Sequence, residues 1–429
     1  MRATPLRPGT LHRSADFTSP LTVPGGEVAG TEIVRELAPE VALTVWQVLR
    51  SVLLWAAEIP AQRGDLFERR AMEQWERELL EGTFDPDLRY PLAVIVGEMG
   101  ALEDASDESL AHACLCVTEW GLAHNATRTA LAFTEAAALC RPDHPRYAWM
   151  AGRLLRTHGY RREAEQWIKR SIRVAGSKGD WEAQTLGLNS LGNVFAEAGN
   201  YRQAAQTQSQ ALRIARKHRL RDREGEVLHD LFVATAHLGN LDIAENYALG
   251  ALEIYRAGHS RLLLLAHDVA VLWMQRGQYD RALPVLLALS DQPDTLRDRI
   301  LVLASGAWAA GMCGEESHYH RIAKQVVELA EQSAGGLGVP RALYELGLGA
   351  WGLERWESAE DFLARAEAAA RAGGESDVVI EAEASLAAIR QRRAAVPSAP
   401  TVQRRSAGHE TLTKRFVASI RSAPVPAEA

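Results

Sequence analysis

The chain has 429 residues, of which 47% are hydrophobic and 24% are charged, proportions typical of globular proteins. Its formal net charge of -7 argues against a global electrostatic attraction to nucleic acid or anionic lipid. Four cysteines in a chain of this length form no disulfide framework, so we expect a reducing compartment. Residues 1–26 contain four prolines and lack the apolar run of a secretory signal, which favours a cytoplasmic location.

The chain before residue 111 divides into an arm and a helical region. Residues 1–26 are rich in proline, threonine and glycine and predict a flexible arm. Residues 27–105 predict a helical bundle or cap, with helices at Pro39–Glu58, Asp65–Glu81 and Leu88–Leu102. Polar residues interrupt the first helix, which indicates a core helix and not a membrane span. The expected core of the bundle consists of Trp46, Leu49, Leu53, Phe67, Trp75 and Leu79.

An alanine recurs about every forty residues in the middle of the chain, and each copy follows a turn glycine by five residues. The pairs are Gly159 with Ala164, Gly199 with Ala204, Gly239 with Ala244, and Gly277 with Ala282. A fixed period in this range predicts a solenoid of structural repeats. Small residues let helices approach closely, and a glycine turn reverses the chain within a few residues.

One of these segments resembles the tetratricopeptide repeat (TPR). Its motif residues are Leu191, Gly192, Phe195, Gly199, Tyr201, Ala204 and Ala211. The resemblance implies helix pairs that stack into a right-handed superhelix with a concave wall. Seven units follow from Ala130, Ala164, Ala204, Ala244, Ala282, Tyr319 and Ala359. Tyr319 departs from the motif, because a large residue occupies the position of the small one.

The predicted fold is all-α: the N-terminal bundle, a TPR-like solenoid of about seven helix pairs at 111–374, and a closing helix in 375–393. A helical bundle followed by long repeats is also similar to the layout of Rap-type sensors in bacteria. That similarity rests on architecture and not on matched residues.

In TPR proteins the first helix of each pair lines the concave wall, and this register selects a set of partner-binding candidates. They are Arg153, Asn189, Asn193, His229, Asp230, His267, Asp268 and Tyr344. In one interpretation the asparagines pair with a peptide backbone while the carboxylates hold a basic side chain. In the other, the histidines and aspartates cap or cross-link neighbouring helices. The sequence leaves both open.

Motifs for catalysis or metal binding are missing from the sequence. It contains no phosphate loop, no Gly-x-Ser-x-Gly elbow and no His-Glu-x-x-His helix. Adjacent helical positions point about 100° apart, so His229 and Asp230 cannot both approach one ion from the same helix. We therefore predict no enzyme activity, no cofactor and no metal site.

Two basic segments suggest further partners. Arg213, Arg216, Lys217 and Arg219 form a basic edge that would contact phosphates, although basic residues are also common at exposed helix C-termini. Residues 394–429 predict a disordered basic tail. Within it, Leu412, Phe416 and Ile420 have the spacing of an amphipathic helix that would form on a partner or in the chain's own groove.

The sequence thus predicts a cytoplasmic adaptor or regulatory scaffold that recognises a protein or peptide without catalysis, and without a membrane. A nucleic-acid-associated regulator that uses the basic edge is one alternative, and a switch gated by a ligand peptide is another. The oligomeric state does not follow from the sequence.

Overall fold

A computed structural model of the protein describes residues 30–256, 259–290, 292, 295–333, 338–391 and 407–422. Within these residues the secondary structure consists of 21 α-helices and two short 3-10 turns, with no strand, so the all-α prediction is confirmed there. The predicted arm at 1–26 lies outside the described residues. The chain forms two compact units, Met1–Arg223 (unit 1) and Glu224–Ala429 (unit 2).

Unit 1 begins with the helices of the predicted bundle. They are α1 (Ile33–Glu36), α2 (Pro39–Ala57), α3 (Arg63–Leu66), α4 (Arg69–Glu81) and α5 (Pro86–Ala101). The predicted helix at Asp65–Glu81 is therefore two helices. At the break Phe67 leaves the helical conformation, with φ -124° and ψ 68°, and its ring packs edge-on against Trp55 with the ring centroids 5.4 Å apart. Burial of this aromatic pair favours the break over a continuous helix.

Helix α2 is long and apolar enough to cross a membrane by length and composition alone. Here it packs against α5, and Val45, Val48 and Val52 are fully buried. This is the arrangement of a core helix. One continuous core runs from Ile33 to Trp167 and joins the bundle to the first repeats. Of the six predicted core residues, four are buried, whereas Trp46 and Trp75 are half-buried.

The rest of unit 1 consists of helix pairs. They are α6 (Asp107–Ala123) with α7 (Thr127–Cys140), α8 (Pro145–Thr157) with α9 (Arg161–Lys178), and α10 (Trp181–Glu197) with α11 (Tyr201–Lys217). Gly199 in the last turn has φ 76°, a conformation that favours glycine. The next N–H, on Asn200, donates to the carbonyl of Phe195 at 2.8 Å and closes a Schellman turn.

Unit 2 continues the alternation of first and second helices. Its helices are α12 (Arg221–His237, which starts at the unit boundary), α13 (Leu241–Ile254), α14 (Leu262–Gln275), α15 (Tyr279–Leu289), α16 (Leu296–Met312), α17 (Glu316–Gln332), α18 (Val339–Gly352), α19 (Trp356–Gly373), α20 (Ser376–Arg390) and α21 (Ala407–Arg421). Helix α20 lies within 375–393, the range where we expected a closing helix.

Tyr319 keeps the phase of the repeat although it replaces the usual small residue. It is buried, and its hydroxyl donates to the carbonyl of Leu346 at 3.0 Å. The space comes from Gly349 on α18, where a Cβ atom would lie 2.7 Å from the Tyr319 ring. The small residue of this contact has thus moved to the neighbouring helix.

The structure differs from the expected disordered tail. Residues 407–421 form α21, which packs against α14 and α15 and buries Leu412, Phe416 and Ile420. Burial of these three side chains supplies the free energy that orders the segment. The remainder of the tail lies outside the described residues, apart from Ser422.

Candidate binding surface

The two candidate asparagines lie in unit 1, on α10. Asn189 is only 7% exposed, which leaves little of it for a ligand to touch. Asn193 is half-buried, and its Oδ1 accepts a hydrogen bond from Gln208 Nε2 at 2.9 Å. Gln208 can cross α10 because residue 192 is glycine, where a Cβ atom would lie 2.5 Å from Gln208 Cγ. These carboxamides are therefore part of the helix packing.

Arg153 on α8 is the candidate of unit 1 that is open to solvent. Its guanidinium carbon lies 5.5 Å from the ring centroid of Trp149, a cation–π contact. Trp149 in turn donates its indole N–H to Ser190 Oγ at 2.8 Å, one repeat further along the chain. The arginine is thus supported by a residue that links α8 to α10, and it presents an exposed positive charge.

In unit 2 one residue of each His-Asp pair, His229 and Asp268, forms a cross-link between neighbouring first helices. His229 on α12 is 3% exposed and donates from Nε2 to Asp268 Oδ2 on α14 at 2.8 Å. His267 Nδ1 lies 3.9 Å from the other carboxylate oxygen, Oδ1. Burial acts to raise the pKa of Asp268, but the hydrogen bond from His229 and the nearby imidazole of His267 outweigh it and lower the pKa. Asp268 is therefore an anion at neutral pH, while Asp230 lies half-buried on α12.

A cleft of about 310 Å³ lies beside this cross-link, between α12 and α14. Its lining consists of Phe232, Val233, Ala236, His237, Asp268, Val271, Leu272, Gln275 and Arg276. Its lining combines apolar side chains with four polar or charged ones, His237, Asp268, Gln275 and Arg276. Its volume lies at the lower end of the range for ligand sites in proteins. The Asp268 carboxylate therefore lines a cleft of mixed polar and apolar character.

A second polar cluster lies on α16 and α18. Ser305 donates to Glu345 Oε2 at 2.7 Å, and burial raises the pKa of Glu345 to about 7 although Ser305, Arg341 and His267 oppose the shift. Arg341 forms ion pairs with Glu381 and with Asp377, the latter at 3.3 Å. The carboxyl group of Glu345 thus changes its charge near neutral pH.

Tyr344 lies on α18, half-buried beside this cluster. The guanidinium carbon of Arg341 is 5.4 Å from its ring centroid, and burial raises the pKa of the Tyr344 phenol. We call the polar residues of these first helices the first-helix strip. It comprises His229, His267, Asp268, Ser305, Arg341, Tyr344 and Glu345. Sequence reasoning missed Ser305, although its spacing of one repeat from Glu345 was a usable signal.

The basic edge is exposed on the last turn of α11 and just after it. Arg213, Arg216, Lys217 and Arg219 are all exposed. On α9, by contrast, Arg170 is only 5% exposed and lies over the ring of Trp167 at 5.5 Å. Burial lowers the pKa of this arginine. The four basic residues of the α11 edge therefore differ from Arg170 in facing solvent.

Burial disfavours the thiolate form of three of the four cysteines. Burial raises the pKa values of Cys116 and Cys140, and it raises that of Cys313 to about 11. A thiol with a raised pKa stays protonated at neutral pH and is a poor nucleophile or metal ligand. In the part of the chain that the structure describes, no group of three or more His, Cys, Asp or Glu side chains is placed to hold a metal.

The paired helices, their Schellman turns and the first-helix register define an all-helical, TPR-like repeat protein. No protein-family model matches the chain, and no curated protein matches it. Among solved structures it is similar to the apo form of the quorum sensor NprR from B. thuringiensis, with a TM-score of 0.50 and 11% identity, covering 77% of this chain and 99% of that chain. At this identity the likeness shows the fold.

Two further solved structures are similar to a smaller degree. A Rap protein in complex with Competence and Sporulation Factor has a TM-score of 0.40 and 12% identity, covering 83% of this chain and 99% of that chain. BtubC from P. vanneervenii has a TM-score of 0.41 and 17% identity, covering 54% of this chain and 94% of that chain.

Proposed function

We propose that this protein recognises a protein or peptide without catalysis, as a cytoplasmic adaptor or regulatory scaffold. The binding surface is the first-helix strip of unit 2, which the TPR resemblance assigns to the concave wall. The cleft beside Asp268 carries this proposal. The chain is similar in fold to NprR, a quorum sensor, which agrees with a role in sensing a ligand.

The chemistry of the cleft favours a basic side chain of the ligand. Lysine and arginine combine an apolar stem with a cationic end, so the stem would lie on Phe232 and Val271 while the cation meets Asp268. His229 already uses Oδ2, and each carboxylate oxygen accepts more than one hydrogen bond. Oδ1 is therefore the atom that would receive the ligand.

Arg153, Asn189 and Asn193 of unit 1 and His229, Asp230, His267 and Tyr344 of unit 2 remain candidate contacts in this proposal. Arg153 offers its charge to a carboxylate. The asparagines offer less, since one is nearly buried and the other is bonded to Gln208.

A displayed library of random heptapeptides, selected on the immobilised full chain, tests the proposal. Selected peptides should contain a basic residue, and they should bind the Asp268→Asn variant about 10- to 100-fold more weakly, because a charge-assisted hydrogen bond contributes about 1.5–3 kcal/mol. The matched control is Asp361→Asn, an exposed carboxylate of the same unit whose loss should leave affinity unchanged. Equal binding of the selected peptides to both variants would contradict the proposed site.

A further inference from the structure

The outer layer of unit 2 has short helices where α21 docks. Helices α13 and α15 have 14 and 11 residues, whereas α11 and α17 have 17 each. Helix α15 also contains Pro284, which lacks a backbone donor and disfavours a longer helix. Helices α13 and α15 therefore cover less of α14 than helices of 17 residues would, and an apolar surface of α14 remains for another helix.

Helix α21 fills this surface with one face. Phe416 is fully buried, and its ring meets that of Trp273 on α14 edge-on at 6.5 Å and 84°. Leu412 and Ile420, one turn before and after it, are buried as well. Outside this apolar row, Arg415 lies 3.4 Å from Glu253 on α13. The contact has the form of an amphipathic helix in a groove, with anchors at i, i+4 and i+8.

The groove is held together by contacts that do not involve α21. Trp273 donates its indole N–H to Glu245 on α13 at 3.0 Å, and Arg281 on α15 lies over its ring at 4.1 Å. Arg281 also pairs with Glu245 at 2.9 Å. These three side chains fix α13, α14 and α15 to one another, so the groove keeps its shape when α21 leaves.

We propose that α13, α14 and α15 form a helix-docking groove and that the chain's own α21 is its exchangeable occupant. An isolated helix of 15 residues is marginal in water, so α21 folds as it docks and unfolds as it leaves. A partner helix that competes for the groove needs large apolar residues at i, i+4 and i+8 and a basic residue toward Glu253. It must also displace an occupant on the same chain, and an intramolecular occupant lowers the apparent affinity of any competitor.

A labelled synthetic peptide of residues 407–422 tests this with the full chain. The variant Phe416→Ala/Ile420→Ala weakens docking in cis, so we expect it to bind the peptide at least about tenfold more tightly than the wild type does. A peptide that carries the same two substitutions should bind neither protein. Equal affinity for variant and wild type, or no binding to the variant, would overturn the proposal.

Hydrogen exchange of the unaltered full chain tests exchangeability without a substitution. Amides of α21 should exchange at least about tenfold faster than those of α14, because undocking of α21 leaves α14 folded. Equal protection of the two helices would make α21 a fixed part of the core. Light scattering of the wild-type chain should show a monomer. If it shows a dimer that Phe416→Ala/Ile420→Ala abolishes, then α21 occupies the groove of a second copy, and the proposal that it occupies the groove of its own chain is overturned.

Discussion

Glu345 should make the stability of unit 2 depend on pH. Its pKa is about 7 in the folded protein against 4.5 for an ordinary glutamate, so the folded state holds the proton more tightly. Stability from this group is therefore present below about pH 4.5 and is lost as pH rises through 7. A difference of about 2.5 pKa units corresponds to about 3 kcal/mol, which we take as an upper estimate.

The substitution Glu345→Gln removes this loss, because the amide is uncharged and its oxygen still accepts the Ser305 hydrogen bond. We expect the variant to be more stable than the wild type at about pH 8, by up to about 3 kcal/mol, and nearly equal to it at about pH 4. Urea unfolding followed by circular dichroism and tryptophan fluorescence gives both free energies, and agreement of the two probes tests two-state behaviour.

A matched control separates burial from the loss of a charge. Glu328→Gln removes an exposed carboxylate of α17 that pairs with Lys324 at 3.8 Å, and it should change stability by less than about 0.5 kcal/mol at either pH. If wild type and Glu345→Gln lose stability in parallel between the two pH values, then the carboxyl group is solvated and the reasoning fails.

Three further predictions concern packing and the basic edge. Gly311→Ala should destabilise the protein by about 1–3 kcal/mol in urea unfolding, because the new Cβ would lie 2.1 Å from the Gly349 carbonyl oxygen. Gly306→Ala on the same helix, where the nearest atoms would be 3.8 Å from the new Cβ, should instead stabilise it by about 0.5–1 kcal/mol. If both substitutions change the free energy of unfolding in the same direction, the packing described here is contradicted. Tyr319→Ala, although it restores the repeat motif, should cost about 3–5 kcal/mol, and a neutral result would mean that α18 closes the gap. The wild type and Lys217→Ala/Arg219→Ala should bind a DNA duplex equally weakly in fluorescence anisotropy. If the affinity of the variant for DNA depends less on salt concentration than that of the wild type, the result would support a nucleic-acid-associated regulator instead.

The repeat could be predicted from sequence because each turn requires a left-handed residue at a fixed position. Gly159, Gly199 and Gly277 have φ between 71° and 86°, and glycine alone takes this conformation without strain. The same position holds Asn125 at φ 57° and Glu354 at φ 60°, where the sequence gives a weaker signal. The glycines thus indicate where the backbone turns, and the positions of the helices along the chain follow from these turns.

The contacts of the candidate surface could be predicted only in part. The candidates that the register selects lie on α8, α10, α12, α14 and α18. The register could not tell whether His229 would face a ligand or bond to Asp268 on the next first helix, because that depends on side-chain rotamers. The docking site of α21 could not be predicted from the sequence either. The spacing of its apolar residues predicts a helix, whereas its site depends on how short α13 and α15 are relative to their neighbours.

Cross-links one repeat apart hold the first helices together and would still leave carboxylate oxygens for the ligand that we propose. His229 reaches Asp268 and Ser305 reaches Glu345, so polar residues on successive first helices form hydrogen bonds with each other. A carboxylate has more acceptor sites than one such bond uses. Each cross-link therefore fixes its carboxylate in position, so the proposed ligand would meet a group whose side-chain entropy has already been lost.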